Sequence, residues 1–267
     1  MAKLQGLLFG LAILALVVLA TYFFTKPWLP ALASDRGAID SAILASVLVT
    51  GAVFIGTHML LAYASWRYAD REGAQAAHWH DNARLEWAWT STTAVIMFIF
   101  LFNALGLWNR IVNAEPPKDA LLVEVTGQQF RWVFRYPGED GVLGRTDPEL
   151  VDVEAQNYIG LDRKSPGAAD DLMSVGQMLL PVNRAVRVRI RSTDVIHSFF
   201  LPNFRVKQDA MPGMTVETWF VPRRVGRFEI ACAEHCGANH FKMRGELEVI
   251  TAASDEEFNR KLREALE

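Results

Sequence analysis

Cysteine is almost missing from this chain: two residues in 267, both inside the twelve-residue stretch Cys232–Met243. Clustered cations are missing too. Lys and Arg number 27 against 30 Asp and Glu, and phosphate binding needs cations gathered in patches, so the balance argues against nucleic acid as a partner. Charge is missing altogether from two long runs, Leu4–Phe24 and Trp87–Trp108. Such runs are read as membrane spans rather than as helices of a soluble core.

The composition is uneven along the chain. Residues 1–110 carry seven basic and six acidic side chains, whereas residues 111–267 carry twenty and twenty-four. The mild acidity of the second part would suit a basic protein partner. The break falls at Asn113-Ala114-Glu115-Pro116-Pro117, where two prolines end any helix and begin an extended segment. Leu4–Phe24 is 21 residues long, enough to cross a hydrocarbon core of roughly 30 Å. Residues 39–66 and 87–108 read as a transmembrane hairpin, placed at 38–112 with its flanks, joined by a polar loop and flanked by interfacial Trp and Tyr. Residues 1–37 have two readings. Ala31-Leu32-Ala33 is a cleavage pattern for a signal peptide, but the apolar run exceeds a usual signal core, so a third span with an outer loop is expected. Arg67, Arg71 and Arg84 in the hairpin loop place that loop in the cytoplasm and the C-terminal domain outside.

From residue 118 the hydrophobic period changes to two. Val186-Arg187-Val188-Arg189-Ile190-Arg191 alternates strictly, and Leu121–Val125, Phe130–Tyr136, Thr215–Val221, Phe228–Ala231 and Glu246–Ile250 also read as strands. The expectation is a membrane-anchored all-β protein: transmembrane helices followed by a Greek-key β-barrel or sandwich over 118–252. Residues 138–181 form a long insertion rich in Gly, Pro and Asp. Ser254-Asp255-Glu256-Glu257 resembles a capping box opening an amphipathic helix over 253–267.

Cys232-Ala-Glu-His-Cys236-Gly-Ala-Asn-His240-Phe-Lys-Met243 concentrates soft donors, and His197 in Asp194-Val195-Ile196-His197-Ser198 supplies another from a separate strand. A disulfide gives no reason for His240 and Met243. Zinc accepts Cys₂His₂ but has no use for the thioether. A single blue-copper site takes one cysteine and leaves the other without a task. Two thiolates bridging two copper ions, with one histidine ending each side and weak axial donors, use every group and suit electron transfer.

The stretch from Asp194 to Met243 resembles subunit II of haem–copper cytochrome c oxidases, whose binuclear CuA centre has the pattern C-x-E-x-C-G-x-x-H-x-x-M with an upstream D-V-x-H-S. The resemblance extends over the hairpin and nearly all of the outer domain, and implies a cupredoxin-like fold of the aa3 or caa3 kind. It implies copper ligation by His197, Cys232, Cys236, His240, Met243 and the backbone carbonyl of Glu234, whose side chain in the family also reaches a magnesium ion at the subunit I interface. Lys207 and Asp209, in Lys207-Gln208-Asp209-Ala210-Met211-Pro212-Gly213, are placed by the same resemblance against the haem region of subunit I; their plainer reading is a polar turn. Glu86, opening Glu86-Trp87-Ala88-Trp89-Thr90, matches the mouth of a proton path, while an acid there also serves as a helix cap. Implied partners are subunit I with its haem and CuB, subunit III, and a cytochrome c. The implied place is a bacterial plasma membrane, with the copper domain on the periplasmic face.

Two departures bear on the electron donor. In Gly127-Gln128-Gln129-Phe130-Arg131-Trp132, Phe130 stands where the family usually has an electron-receiving tryptophan, two residues before Trp132, and Arg131 adds charge beside it. Both favour a cytochrome c that is membrane-anchored or part of another respiratory complex. The chain has no C-x-x-C-H, so the fused haem domain of many caa3 members is expected from another polypeptide. Competing readings are the copper subunit of a nitric oxide reductase and a membrane-tethered copper-binding or assembly protein. Quinol-oxidase subunits II lack the copper ligands. His235, His58, His78 and His80 are assigned no ligand role.

Overall fold

The computed structural model describes residues 2–24, 26, 28–69, 73, 75 and 77–266. It divides into a helical unit, Met1–Pro30 with Ala38–Trp108, and a β unit, Ala31–Gly37 with Asn109–Glu267.

The helical unit contains α1 (Ala2–Phe24), α2 (Gly37–Arg67) and α3 (Ala83–Trp108). Among the described residues these are the three helices long and apolar enough to cross a membrane. A helix is the form that satisfies every backbone group within one apolar segment. The few polar side chains follow the same rule: Ser46, Thr50, Thr57 and Thr92 donate to carbonyls four residues back, at 2.7–2.9 Å. His58 is satisfied in the same way, with Nδ1 2.8 Å from the Phe54 carbonyl and its ring 4.0 Å from the Phe54 ring. A Cβ at Gly6 would lie 2.9 Å from the Trp66 Cα, so α1 and α2 approach closely through a small residue. Asn82 caps α3 by accepting the Leu85 N–H at 3.1 Å. Glu86 stands exposed in the first turn, where a carboxylate also complements the helix dipole. Arg67 closes α2 and Arg84 opens α3, whereas Arg71 lies outside the described residues.

The β unit is a sandwich of two five-stranded sheets. Its strands are β1 (Leu121–Gln128), β2 (Arg131–Tyr136), β3 (Leu172–Val175), β4 (Gln177–Pro181), β5 (Val186–Ser192), β6 (His197–Leu201), β7 (Val206–Ala210), β8 (Val216–Phe220), β9 (Gly226–Cys232) and β10 (Arg244–Ile250). One sheet runs β3-β2-β1-β5-β8, the other β4-β10-β9-β6-β7. Alternation decides the faces: Val186, Val188 and Ile190 of β5 are buried, with Arg187, Arg189 and Arg191 on the opposite side. The core between the sheets includes Val123, Val125, Trp132, Phe134, Phe199, Leu247 and Val249. Tyr136 links the layers, its hydroxyl donating to the Leu179 carbonyl and accepting the Leu179 N–H at 2.8 Å. The closing helix α4 (Asp255–Leu266) seats Phe258 and Leu262 on this core. Ser254 Oγ accepts the Glu257 N–H at 3.2 Å, and the Glu257 carboxylate accepts the Ala253 N–H at 2.8 Å.

Three local expectations need correction. The 138–181 insertion is not wholly irregular, because β3 and β4 lie inside it. Met178-Leu179-Leu180 is a short continuous apolar run, buried where β4 pairs in parallel with β10, so it shows no alternation. Lys207 and Asp209 lie on the edge strand β7, exposed on one face, rather than in a turn. The outer domain also begins earlier than the proline break, because Ala31–Gly37 folds into it. Ala33 is fully buried, donating to the Asn203 carbonyl and accepting from Arg223, both at 2.7 Å. Arg36 donates to the carbonyls of Arg205 and Trp219 and to the Thr218 hydroxyl.

The irregular part of the insertion lies on the outer face of β1 and β2. Val133, Ile159, Leu161 and Ala168 form a small second core there. Arg135 is buried beside it, donating to Glu124 at 2.7 Å, Asp171 at 3.1 Å and the Gly144 carbonyl at 2.7 Å. Burial raises the Asp171 carboxyl above its ordinary range despite Arg135. Removing the guanidinium takes the principal cation from two buried carboxylates, leaving Glu124 to Arg191 at 3.5 Å and Asp171 to the Gly144 N–H. Arg135→Ala is therefore expected to destabilise the protein by about 3–5 kcal/mol, while Arg187→Ala, which breaks an exposed pair with Glu217, costs at most about 1 kcal/mol. Urea unfolding of the full chain in detergent, followed by tryptophan fluorescence, checks the difference.

Candidate metal centre

The ligand-bearing segments converge because β6 and β9 are paired neighbours, with Phe199 opposite Cys232. His197 is the first residue of β6 and Cys232 the last of β9. The chain then loops through Glu234 to Met243 before β10. The Cys232 N–H bonds the Met243 carbonyl at 3.2 Å and pinches the loop shut. Inside it, short backbone bonds from His240 to Gly237 and from Met243 to His240, both 3.0 Å, fold the donors inward.

The result is compact. Cys232 Sγ and Cys236 Sγ are 3.9 Å apart and unbonded. Cys236 Sγ lies 3.6 Å from His240 Nδ1 and 3.7 Å from Met243 Sδ, and Cys232 Sγ is 3.2 Å from the Glu234 carbonyl oxygen. Ligand atoms of His197, Cys232 and Cys236 fall within 4.8 Å of one another. Three of the other four expected donors thus surround the thiol pair, and His197 completes the set of six. The Glu234 side chain itself is exposed.

His197 is held from three directions. A Cβ at Gly127 would lie 2.8 Å from its ring, so only glycine leaves room in β1. Trp132 meets it edge-on, with centroids 5.9 Å apart, and Asp194 Oδ1 stands 2.8 Å from Nε2. Burial alone would raise the Asp194 carboxyl, but bonds from Gln129 N–H, His197 and Val195 N–H hold it below the ordinary carboxylate range. A carboxylate accepts, so Nε2 carries the proton and Nδ1 keeps its lone pair. That Nδ1 is buried with no hydrogen-bond partner. A buried ring nitrogen with no partner among the described residues, on a histidine grouped with two thiols, fits a metal ion, since an unpartnered buried polar atom is otherwise costly. Burial, and then Cys232, push the Cys236 thiol up to about 11. A cation is what makes such thiols ionise.

The other predicted residues take different places. Trp132 is fully buried beneath His197, while Phe130 is partly exposed and its ring lies 3.2 Å from a Cβ position at Gly237. The insertion reaches this turn: Arg131 sits 4.7 Å over the Tyr158 ring, and the Gln128 amide donates to the Tyr158 carbonyl. Asp209 accepts from Ser198 Oγ at 2.7 Å, one residue from a ligand position, and Lys207 is exposed two residues before it. His235 lies beside His240 at 5.6 Å between centroids, outside the donor set. Glu86 belongs to the helical unit. Gly127, Gln129 and Asp194 had been given no role from the sequence, although each sits inside a quoted motif.

A family model for the periplasmic domain of cytochrome c oxidase subunit II matches residues 121–250. The alternative cytochrome c oxidase subunit 2 of Bradyrhizobium diazoefficiens is 37% identical over 246 residues, covering 92% of this chain and 87% of that relative. The chain belongs to the cytochrome c oxidase subunit II family. Another subunit II, from Cereibacter sphaeroides, is 32% identical over 80% of this chain and 71% of its own length. The crystal structure of the periplasmic domain of subunit II (CoxB) of Bradyrhizobium japonicum matches 57% of this chain and 100% of that domain, at 30% identity and a TM-score of 0.40. As a subunit II the chain is a membrane-anchored part of an oxidoreductase complex, with a cupredoxin-like sandwich. Membership implies copper as the metal of this donor set.

Asp194→Ala frees the His197 ring, and Gly127→Ala pushes it aside. Each is expected to weaken copper retention about 10- to 100-fold, measured by competition with a chelator on the purified subunit.

Proposed function

We propose that this subunit II is the electron-accepting subunit of a proton-pumping cytochrome c oxidase. It takes single electrons from a cytochrome c and delivers them to haem a of subunit I, where oxygen is reduced to water. His197, Cys232, Cys236, His240, Met243 and the Glu234 carbonyl would hold two copper ions, which when bound supply one-electron chemistry with little reorganisation. The observation that carries this reading is the buried, partnerless Nδ1 of His197 beside two unbonded thiols. The protein's own work is to hold donors in place before metal arrives.

Surrounding residues have roles consistent with that work. Phe130, partly exposed and packed on the loop that carries Cys236, offers an apolar contact for the donor, with Trp132 behind it under His197. The exposed Glu234 carboxylate is available to a magnesium ion at the subunit I interface. Lys207 and Asp209 face outward on edge strand β7, where they can meet subunit I. Glu86, exposed in the first turn of α3, is available as a proton acceptor at its cytoplasmic mouth. Subunit III completes the assembly, in a bacterial plasma membrane with the sandwich on the periplasmic side. We read α1 as a resident span, supported by its close approach to α2 at Gly6 and by the folding of Ala31–Gly37 into the β unit.

Copper analysis and electron paramagnetic resonance of the full-length subunit test the site. Two coppers per chain, with a mixed-valence signal split by two nuclei, are expected; one copper, or zinc alone, overturns the assignment. For the donor, Arg131 and Phe130 favour a membrane-anchored or complex-bound cytochrome. Slow reduction by soluble cytochrome c, accelerated by Phe130→Trp, is the expected result. Rapid and salt-sensitive reduction of the wild type would remove the case for a tethered donor.

A further inference from the structure

One residue ties together all three segments of the proposed copper site without being a ligand. Gln129 lies in the turn between β1 and β2, between the histidine-cradling Gly127 and the partly exposed Phe130. Its backbone N–H donates to Asp194 Oδ2 at 2.6 Å, and the other oxygen of that carboxylate orients His197. Its side-chain Nε2 donates to the Cys236 carbonyl at 2.6 Å, across 107 residues of sequence. Only the amide nitrogen can donate to a carbonyl, so the orientation of the amide follows from its partner. The next residue, Gly237, has φ of +130°. A Cβ there would come within 2.8 Å of Gln129 Nε2 and 3.2 Å of the Phe130 ring. Glycine at 237 therefore lets the amide and the ring close on the loop together.

We infer that Gln129 is a positioning residue of the metal centre: its side chain fixes the Cys236 end of the loop while its backbone fixes the Asp194–His197 end, locking both to the turn that presents Phe130. The inference rests on the ligand assignment proposed above. It differs from a general packing role because its two bonds can be separated. Replacing the side chain leaves the backbone N–H on Asp194, so the His197 end stays held while the Cys236 end loosens. The buried Cys236 thiol should then open to solvent more often, whereas Cys232, at the end of β9, stays anchored by strand pairing with Phe199.

The test uses the full-length subunit, first metal-free and then loaded with copper. Gln129→Met keeps the length and volume but removes the donor. In the metal-free protein, alkylation of Cys236 by iodoacetamide, followed peptide by peptide, should accelerate about three- to ten-fold, the factor corresponding to one hydrogen bond. Cys232 should change less than Cys236, by under about two-fold, since its backbone is held by Met243 and by the pairing with β6. With copper, the Gln129→Met spectrum should show altered hyperfine splitting and a shifted reduction potential, and chelator extraction should be faster. Gly237→Ala attacks the same contact from the other side and should reproduce the pattern. Should Gln129→Met fail to fold, Gln129→Asn keeps an amide one methylene too short to reach the carbonyl, and the same readings decide. Equal alkylation rates in wild type and variant, with an unchanged copper spectrum, overturn the inference. A wild type that takes up no copper pair overturns the ligand assignment instead, while the metal-free alkylation rates still decide whether Gln129 holds the loop.

Discussion

A buried imidazole has two nitrogens to satisfy, and the fold satisfies only one of those on His197. Asp194 accepts the hydrogen bond from Nε2–H and leaves Nδ1 without a partner among the described residues. Much of the outer domain is arranged to keep that imbalance. Gly127 is small so that the ring fits, Trp132 closes one side, and the pairing of β6 with β9 brings Cys232 alongside. An orphaned buried nitrogen costs free energy in the metal-free fold. A metal ion at this position recovers that cost, which is why the site reads as incomplete by design.

The same logic runs through the thiol pair. Burial and mutual proximity disfavour ionisation of Cys236, so the loop alone does not hold two thiolates. What it does hold is geometry: the bond from Cys232 to Met243 closes its base, and the bond from Gln129 ties down its tip. The insertion over β1 and β2 belongs to this scheme from the outside. Its buried Arg135 cluster anchors it, and Tyr158 steadies Arg131 next to Phe130. The surroundings of Phe130, proposed above as the donor contact, are therefore built partly by a segment that carries none of the soft donors.

Legibility followed the physics of each element. The hairpin helices could be read directly because lipid demands a long apolar run per span, whereas the first run also fitted a signal peptide. β5 was legible because its outer face is solvated and its arginines alternate with buried aliphatics. β4 was not, because Met178, Leu179 and Leu180 are all buried and erase the alternation. β7 was read as a turn because Lys207, Gln208 and Asp209 are polar, yet an edge strand tolerates just that composition. Ala31–Gly37 was read as a loop or cleavage region, since nothing local announces that Ala33 is buried through bonds to Asn203 and Arg223.

The sequence by itself determined the donor inventory, because Cys232, Cys236, His240 and Met243 are close in the chain and their chemistry is a property of the residue types. It also determined the membrane anchoring and the family. Only the tertiary structure decided which nitrogen of His197 is available, since that depends on Asp194 and on a glycine in another strand. Nor could spacing reveal that Gln129 reaches Cys236 over 107 residues, or that the domain recruits Ala33 from ahead of its second helix. Ligand identity is local chemistry; ligand orientation is set by contacts between segments far apart in sequence, which exist only once the sheets have paired.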